Sequence, residues 1–227
     1  MTPTTKFKAA LSGLALLAAA VLPMAAAPAI AAPAAPQTMS AEVAAAIKPV
    51  PKLGFSTQTV RTLNIEFQYQ QTGYWCGPAA TRIALSARIS PPSQQQLANE
   101  LPTTTNGTDW IGQVTRVLNN HLGTGWYETK EMPNDPPTQA QRDLLWRDVV
   151  LDINNNYPIV ANIVAPASNH PPGYPNYTIY HYFTVIGYDD SDQTVLIADP
   201  AGFAPTATYW LTFNQLATLI PPKGYSA

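Results

Sequence analysis

The hydrophobic pattern divides the chain into three stretches. Ala9 to Leu22 is an apolar run with no charge behind Lys6 and Lys8, too short to span a bilayer. Small residues follow, with Ala29-Ile30-Ala31 at a cleavage position. This layout predicts a secretory signal peptide over 1–31. Residues 32–58 are dominated by Ala and Pro and predict a linker or pro-segment. From residue 59 to 227 aromatic and β-branched residues fall into helical and strand-like periods, which predicts one domain.

Within that domain Arg61 to Tyr69 reads as a strand ending in a Gln-Thr-Gly turn. Ala79, Ala80, Ile83, Ala84 and Ala87 recur at helical spacing behind Pro78, a residue suited to a first helical turn. Pro91-Pro92 stops that helix, and Ser93 opens a short one over Gln94 to Leu101. Thr108 or Asp109 caps the next, which runs through Ile111, Val114, Val117, Leu118 and Leu122 to Gly123. Thr138 caps another, through Leu144, Leu145, Val149 and Ile153. The second half changes period. Pro158 to Val164, Ile179 to Tyr188, Thr194 to Ala198 and Thr206 to Leu211 read as strands, and Phe213 to Leu219 as a last short helix. Helices first and antiparallel strands afterwards predict an α+β fold with two lobes.

Composition narrows the function. Twelve Lys and Arg against fourteen Asp and Glu leave no basic footprint for nucleic acid or an anionic membrane. After the leader, no stretch is apolar enough to insert into a membrane. The three histidines and one cysteine lack zinc-ligand spacing, and no Gly-rich phosphate loop or dinucleotide fingerprint is present. Neither metal nor cofactor is expected. Export also makes the cysteine count informative. Cysteines in an oxidising compartment usually pair, yet Cys76 is alone. A lone cysteine there is a free thiol, an intermolecular bridge or a small buried hydrophobe.

Its surroundings favour a reactive thiol. Cys76 opens a predicted helix, where the macrodipole favours an anion. Such a site lowers a thiol from about 8.5 towards neutrality, and a paired histidine lowers it to about 3–4. The Cys76 N–H is also placed to bind an oxyanion. A base must come from His121, His170 or His181. His121 ends a helix, which a capping histidine explains. His170 lies in a Pro-rich loop, where substrate contact or a plain surface role both fit. His181 opens the run His-Tyr-Phe-Thr-Val-Ile-Gly-Tyr-Asp-Asp, and the following strand closes at Asp199-Pro200. A turn centred near Asp190 sets residue 199 opposite 181 on one face, with Cβ atoms about 5 Å apart. Asp199 then orients the imidazole. A one-residue slip would separate them. Gln70 or Gln71 supplies a second oxyanion donor, with Gln70 preferred because only one of the two points inward.

These pieces resemble the papain-like cysteine peptidases, and more narrowly the C39-like family related to bacteriocin-leader processing. Gln70 lies six residues before Cys76-Gly77-Pro78-Ala79-Ala80, and His181 to Asp189 and Asp199-Pro200 follow in the family's order. The resemblance spans roughly Glu66 to Ala201. It implies a papain-like fold with a helical lobe followed by an antiparallel sheet lobe, and a secreted thiol hydrolase acting on peptide bonds. Cys76 is then the nucleophile, His181 the base and acid, Asp199 the orienter and Gln70 the oxyanion donor. Trp75, Gly77, His170 and Tyr180 are the expected substrate contacts, and a peptide or protein the expected partner. The family's processors are usually fused to a transporter, so their double-glycine leader is not carried over. Two other readings stay open. One is a cell-wall peptide amidase or transamidase on the same triad. The other is a non-catalytic peptide-binding domain, with Tyr74, Trp75, Trp110, Trp126, Tyr127, Tyr174 and Tyr177 lining a groove.

Overall fold

The computed structural model describes residues 60–227. The expected leader and the Ala/Pro segment lie outside the described residues. The α+β class expected from the sequence is the class observed. Seven strands form one antiparallel sheet: β1 (Val60–Thr62), β2 (Thr129–Glu131), β3 (Ile159–Ala165), β4 (Ile179–Asp189), β5 (Thr194–Ala198), β6 (Thr208–Thr212) and β7 (Gly224–Ser226). Their order is β2-β7-β3-β4-β5-β6, with β1 paired to the far end of β4. Strands β3 and β4 read as nearly continuous apolar runs because both their faces are covered.

The helices are α1 (Cys76–Ser86), α2 (Gln94–Glu100), α3 (Ile111–Leu122), α4 (Gln139–Asn154) and α5 (Phe213–Leu219). The first three share a core with Val160 and Tyr182 on one face of the sheet. The other two pack on the opposite face, against Ile159, Ile163, Phe183, Val185 and Ile197. Every residue of α1 from Cys76 to Leu85 is buried. Its alanines let the helix lie close to β4, where the Thr184 hydroxyl donates to the Ala80 carbonyl at 2.9 Å. Among the described residues no helix is long and apolar enough to cross a membrane.

Several boundaries differ from the pattern. The strand expected over Arg61 to Tyr69 ends at Thr62. The Leu63 N–H still reaches the Ile186 carbonyl at 2.8 Å, after which the chain leaves the sheet to approach α1. The third helix starts after Trp110, not after Thr108 or Asp109. Thr108 is engaged elsewhere, its hydroxyl 2.8 Å from that of Thr103. Strands β2 and β7 carried no readable period. His121 does not cap α3 but pairs with Glu100 of α2, Nε2 to Oε2 at 2.6 Å.

Candidate active site

Cys76 is the first residue of α1, with Trp75 before it. Gly77 permits this approach. A Cβ built there would lie 2.2 Å from Thr108 Oγ1 and 2.7 Å from Thr108 Cβ. Pro78 falls in the first turn, where a missing N–H leaves nothing unsatisfied. The sulfur therefore sits at the positive end of a buried helix.

His181 and Asp199 come from the sheet, and a bulge in β4 brings them together. On the turn side Gly187 faces Leu196. Continued unbroken, that register would set Asp199 across from Thr184, whose side chain points to α1. The bulge between Val185 and Gly187 moves the pairing by one, so Thr184 faces Ala198. Asp199 then falls level with Phe183, on the face that carries His181. The sequence pattern set residue 199 level with 181. The observed displacement is two residues, which keeps the face, and the side chains meet along the diagonal. His181 Nε2 lies 2.8 Å from Asp199 Oδ1. With Nε2 so engaged, Nδ1 is the nitrogen left for the sulfur. Because β5 ends at Ala198, His181 and Tyr182 have a strand partner only in β3, and the tip of α1 occupies the open side. There Cys76 and His181 line the same cleft.

The electrostatics follow from these contacts. Burial pushes the Cys76 thiol up, but the neighbouring His181 and the backbone N–H groups of Tyr182 and Gly77 outweigh it and the net shift is downward. Burial likewise disfavours a charged His181, yet the Asp199 carboxylate and Cys76 push it up to about 10. Asp199 is only 2% exposed, and burial alone would raise it. His181, the Tyr209 hydroxyl and the Ala201 N–H hold it at about 2 instead. The shifts run in the direction that favours a thiolate, an imidazolium and a carboxylate in series.

The other expected residues are placed unevenly. The Gln70 N–H donates to the Pro200 carbonyl at 2.9 Å, which fixes it beside Asp199. Its side-chain Nε2 donates to the Thr72 carbonyl at 3.0 Å, and its Oε1 is buried without a partner. Gln71 is exposed. Tyr180, 68% exposed, lines a cleft of about 160 Å³ with Cys76, Asp109, Asn162, His181 and Lys223. Trp75 is half-buried beside Tyr74. Gly77 is buried against Thr108 and not in the cleft wall. His170 lies outside that cleft, its ring beside Tyr174 with centroids 6.4 Å apart. Of the aromatics read as a groove, Trp126 stacks on Tyr157 and Tyr127 is buried. Trp110 lines a second hollow that shares Asp109, Asn162 and Lys223 with the first.

Tyr209 and Gln94 escaped the sequence reading, and Tyr174 entered it only as a groove aromatic. Tyr174 and Tyr209 both donate to Asp199 Oδ2. The fully buried Gln94 ties down the chain before Cys76: its amide donates to Gln68 Oε1 and the Tyr69 carbonyl, and its oxygen accepts from the Gln71 N–H. A polar residue at an inward helical position was the only available signal.

A helix-borne cysteine facing a histidine and a carboxylate on an antiparallel sheet is the arrangement of a cysteine peptidase fold. The chain belongs to the Peptidase_C39 like family, whose model matches residues 62–218. No curated protein matches it. Among solved structures it is similar to the peptidase domain of Streptococcus ComA, a bi-functional ABC transporter involved in a quorum sensing pathway. The identity there is 17%, the TM-score 0.47, and the match covers 72% of this chain and 98% of that one. It is similar to xylellain, a cysteine protease from Xylella fastidiosa, at 15% identity and a TM-score of 0.47, covering 84% and 89%. A double glycine motif protease from an AMS/PCAT transporter matches at 11% identity and a TM-score of 0.45, covering 73% and 91%.

Proposed function

We propose that this protein is a secreted thiol hydrolase that cleaves peptide bonds, with Cys76 as nucleophile. The 2.8 Å contact of His181 Nε2 with Asp199, behind a cysteine at a helix start, carries the reading. The Cys76 thiolate attacks the substrate carbonyl and forms a carbon–sulfur bond. The Cys76 N–H and Gln70 stabilise the oxyanion. His181 gives its proton to the leaving amine as the carbon–nitrogen bond breaks, then takes one from the water that releases the acyl group. For Gln70 to take part, its amide must turn from the Thr72 carbonyl towards the substrate. Export rests on the leader pattern of residues 1–31, and residues 59–227 form the peptidase domain.

The test is the rate at which a thiol-reactive probe labels Cys76 at mildly acidic pH, well below the ordinary thiol value of about 8.5. Wild type should react quickly and His181→Ala slowly. Equal, slow labelling of both would remove the activated thiol and leave a binding domain. Fast labelling together with fragments released from isolated cell wall, and none from unstructured polypeptide, would move the substrate to wall peptides. The N-terminal sequence of protein recovered from the medium tests the leader.

A further inference from the structure

Asp199 accepts four hydrogen bonds although it is almost fully buried. Oδ1 takes the His181 Nε2–H at 2.8 Å and the Ala201 N–H at 2.9 Å. Oδ2 takes the Tyr174 hydroxyl at 2.7 Å and the Tyr209 hydroxyl at 2.5 Å. The two phenols come from distant parts of the chain, and both are buried. Tyr209 stands in β6 and points into the core shared with α4 and α5. Tyr174 stands in the Pro-rich loop between β3 and β4. That loop is pressed against the segment after Asp199: a Cβ on Gly173 would meet the Phe203 carbonyl oxygen at 2.3 Å. The Phe203 ring then packs edge-on to Tyr174 with centroids 5.0 Å apart. Tyr174 also presents itself edge-on to the His181 ring, 6.0 Å between centroids. Neither hydroxyl serves the fold alone, since each is spent on the oxygen that the imidazole does not use.

We infer that Tyr174 and Tyr209 are positioning residues that hold the Asp199 carboxylate ionised and in the one orientation that presents Oδ1 to His181. The inference rests on the proposed thiol hydrolase reading. A carboxylate with one oxygen unpartnered rotates and draws a proton more readily; two phenol donors on Oδ2 oppose both. Asp199 held as an anion stabilises the imidazolium, and the imidazolium stabilises the Cys76 thiolate. The other titratable groups near the site are the Tyr182 phenol, bonded to Asn162 at 2.9 Å, Asp109, Tyr180 and Lys223 along the cleft, and His170 beside Tyr174. None of them hydrogen-bonds Asp199.

The experiment is the pH dependence of Cys76 alkylation in Tyr174→Phe, Tyr209→Phe and the double variant. Thiolate absorbance in the ultraviolet and thermal unfolding are followed in parallel. Phenylalanine keeps the ring and its packing, so a folded protein is expected from each. Losing one charge-assisted hydrogen bond should move the onset of thiolate up by about one pH unit and slow alkylation near neutrality about tenfold. The double variant should shift further. In an Asp199→Asn background the same substitutions should add little, because the charge they serve is gone. Folded phenylalanine variants whose profile overlays that of wild type would overturn the inference and leave the hydrolase reading intact. An ordinary thiol profile in wild type itself would instead remove the hydrolase reading, and this inference with it.

Discussion

Replacing Gly77 by alanine tests whether the position of the nucleophile is set by close packing of the helix start on a loop. The added Cβ meets Thr108 Oγ1 at 2.2 Å and Thr108 Cβ at 2.7 Å, whereas carbon atoms in contact prefer about 3.5–4.0 Å. Rotating the Thr108 side chain moves its oxygen but not its Cβ, so the clash survives any rotamer. The hydroxyl is also tied to Thr103 at 2.8 Å. Either the loop carrying Thr108 or the tip of α1 must therefore move. Overpacking of this kind costs about 1–3 kcal/mol. For a domain of this size that lowers the melting temperature by about 2–12 °C. Asn106 to Asp109 line the cleft, so the alkylation rate of Cys76 should change as well. Thr108→Gly removes both contacting atoms. The double variant Gly77→Ala/Thr108→Gly should consequently be more stable than the sum of the singles, by about 0.5–3 kcal/mol. Calorimetry on the four proteins decides it: a Gly77→Ala melting point equal to wild type, or strictly additive losses, would refute the steric argument.

If Gln70 supplies the second oxyanion donor, Gln70→Ala should lower kcat by about 10²–10³ with little change in KM, and Gln71→Ala should behave as wild type in the same steady-state assay. Asp199→Ala breaks a buried ion pair and should cost about 3–5 kcal/mol. Its pH dependence has a definite sign. Asp199 is held down at about 2 from 3.8, so its contribution exists above that normal value and is lost as pH falls through about 2. His181 is held up at about 10 from 6.5, so its contribution exists below 6.5 and is lost as pH rises through about 10. The gap in melting temperature between wild type and Asp199→Ala should be widest between about pH 4 and 6.5 and narrow on both sides. His121→Gln, which touches only the half-exposed pair with Glu100, should change stability by less than about 1 kcal/mol and leave Cys76 labelling unaltered.

Local chemistry was legible in the sequence and long-range geometry was not. The start of α1 could be read because Pro78 and the alanine spacing act over a single turn. His181 and Asp199 were expected on one face, and they are, although the ladder that brings them there differs by two residues from the expected one. The bulge at Ile186 had one composition signal, the isolated Gly187 inside a strand pattern, which does not by itself fix which residue is extruded. Strands β2 and β7, Thr-Lys-Glu and Gly-Tyr-Ser, are too short and too polar to show alternation, and exist because β3 offers an open edge. Tyr209 looked like any aromatic in an edge strand. Its partner lies across the β5–β6 turn, at a residue whose own position depends on the bulge. The same limit explains Trp126 and Tyr127, read as groove residues but consumed by contacts with Tyr157 and the Pro158 carbonyl.

The bulge in β4 acts as a parity switch on the hairpin. Were Ile186 drawn into the ladder opposite Ile197, the turn would keep its pairing while the acid swung to the face of Thr184, out of reach of its base. Excising Ile186 would instead leave Thr184 across from Ala198 and the acid beside its base. What keeps acid and base on one side of the sheet is thus the exclusion of this residue from pairing, and not its presence in the chain.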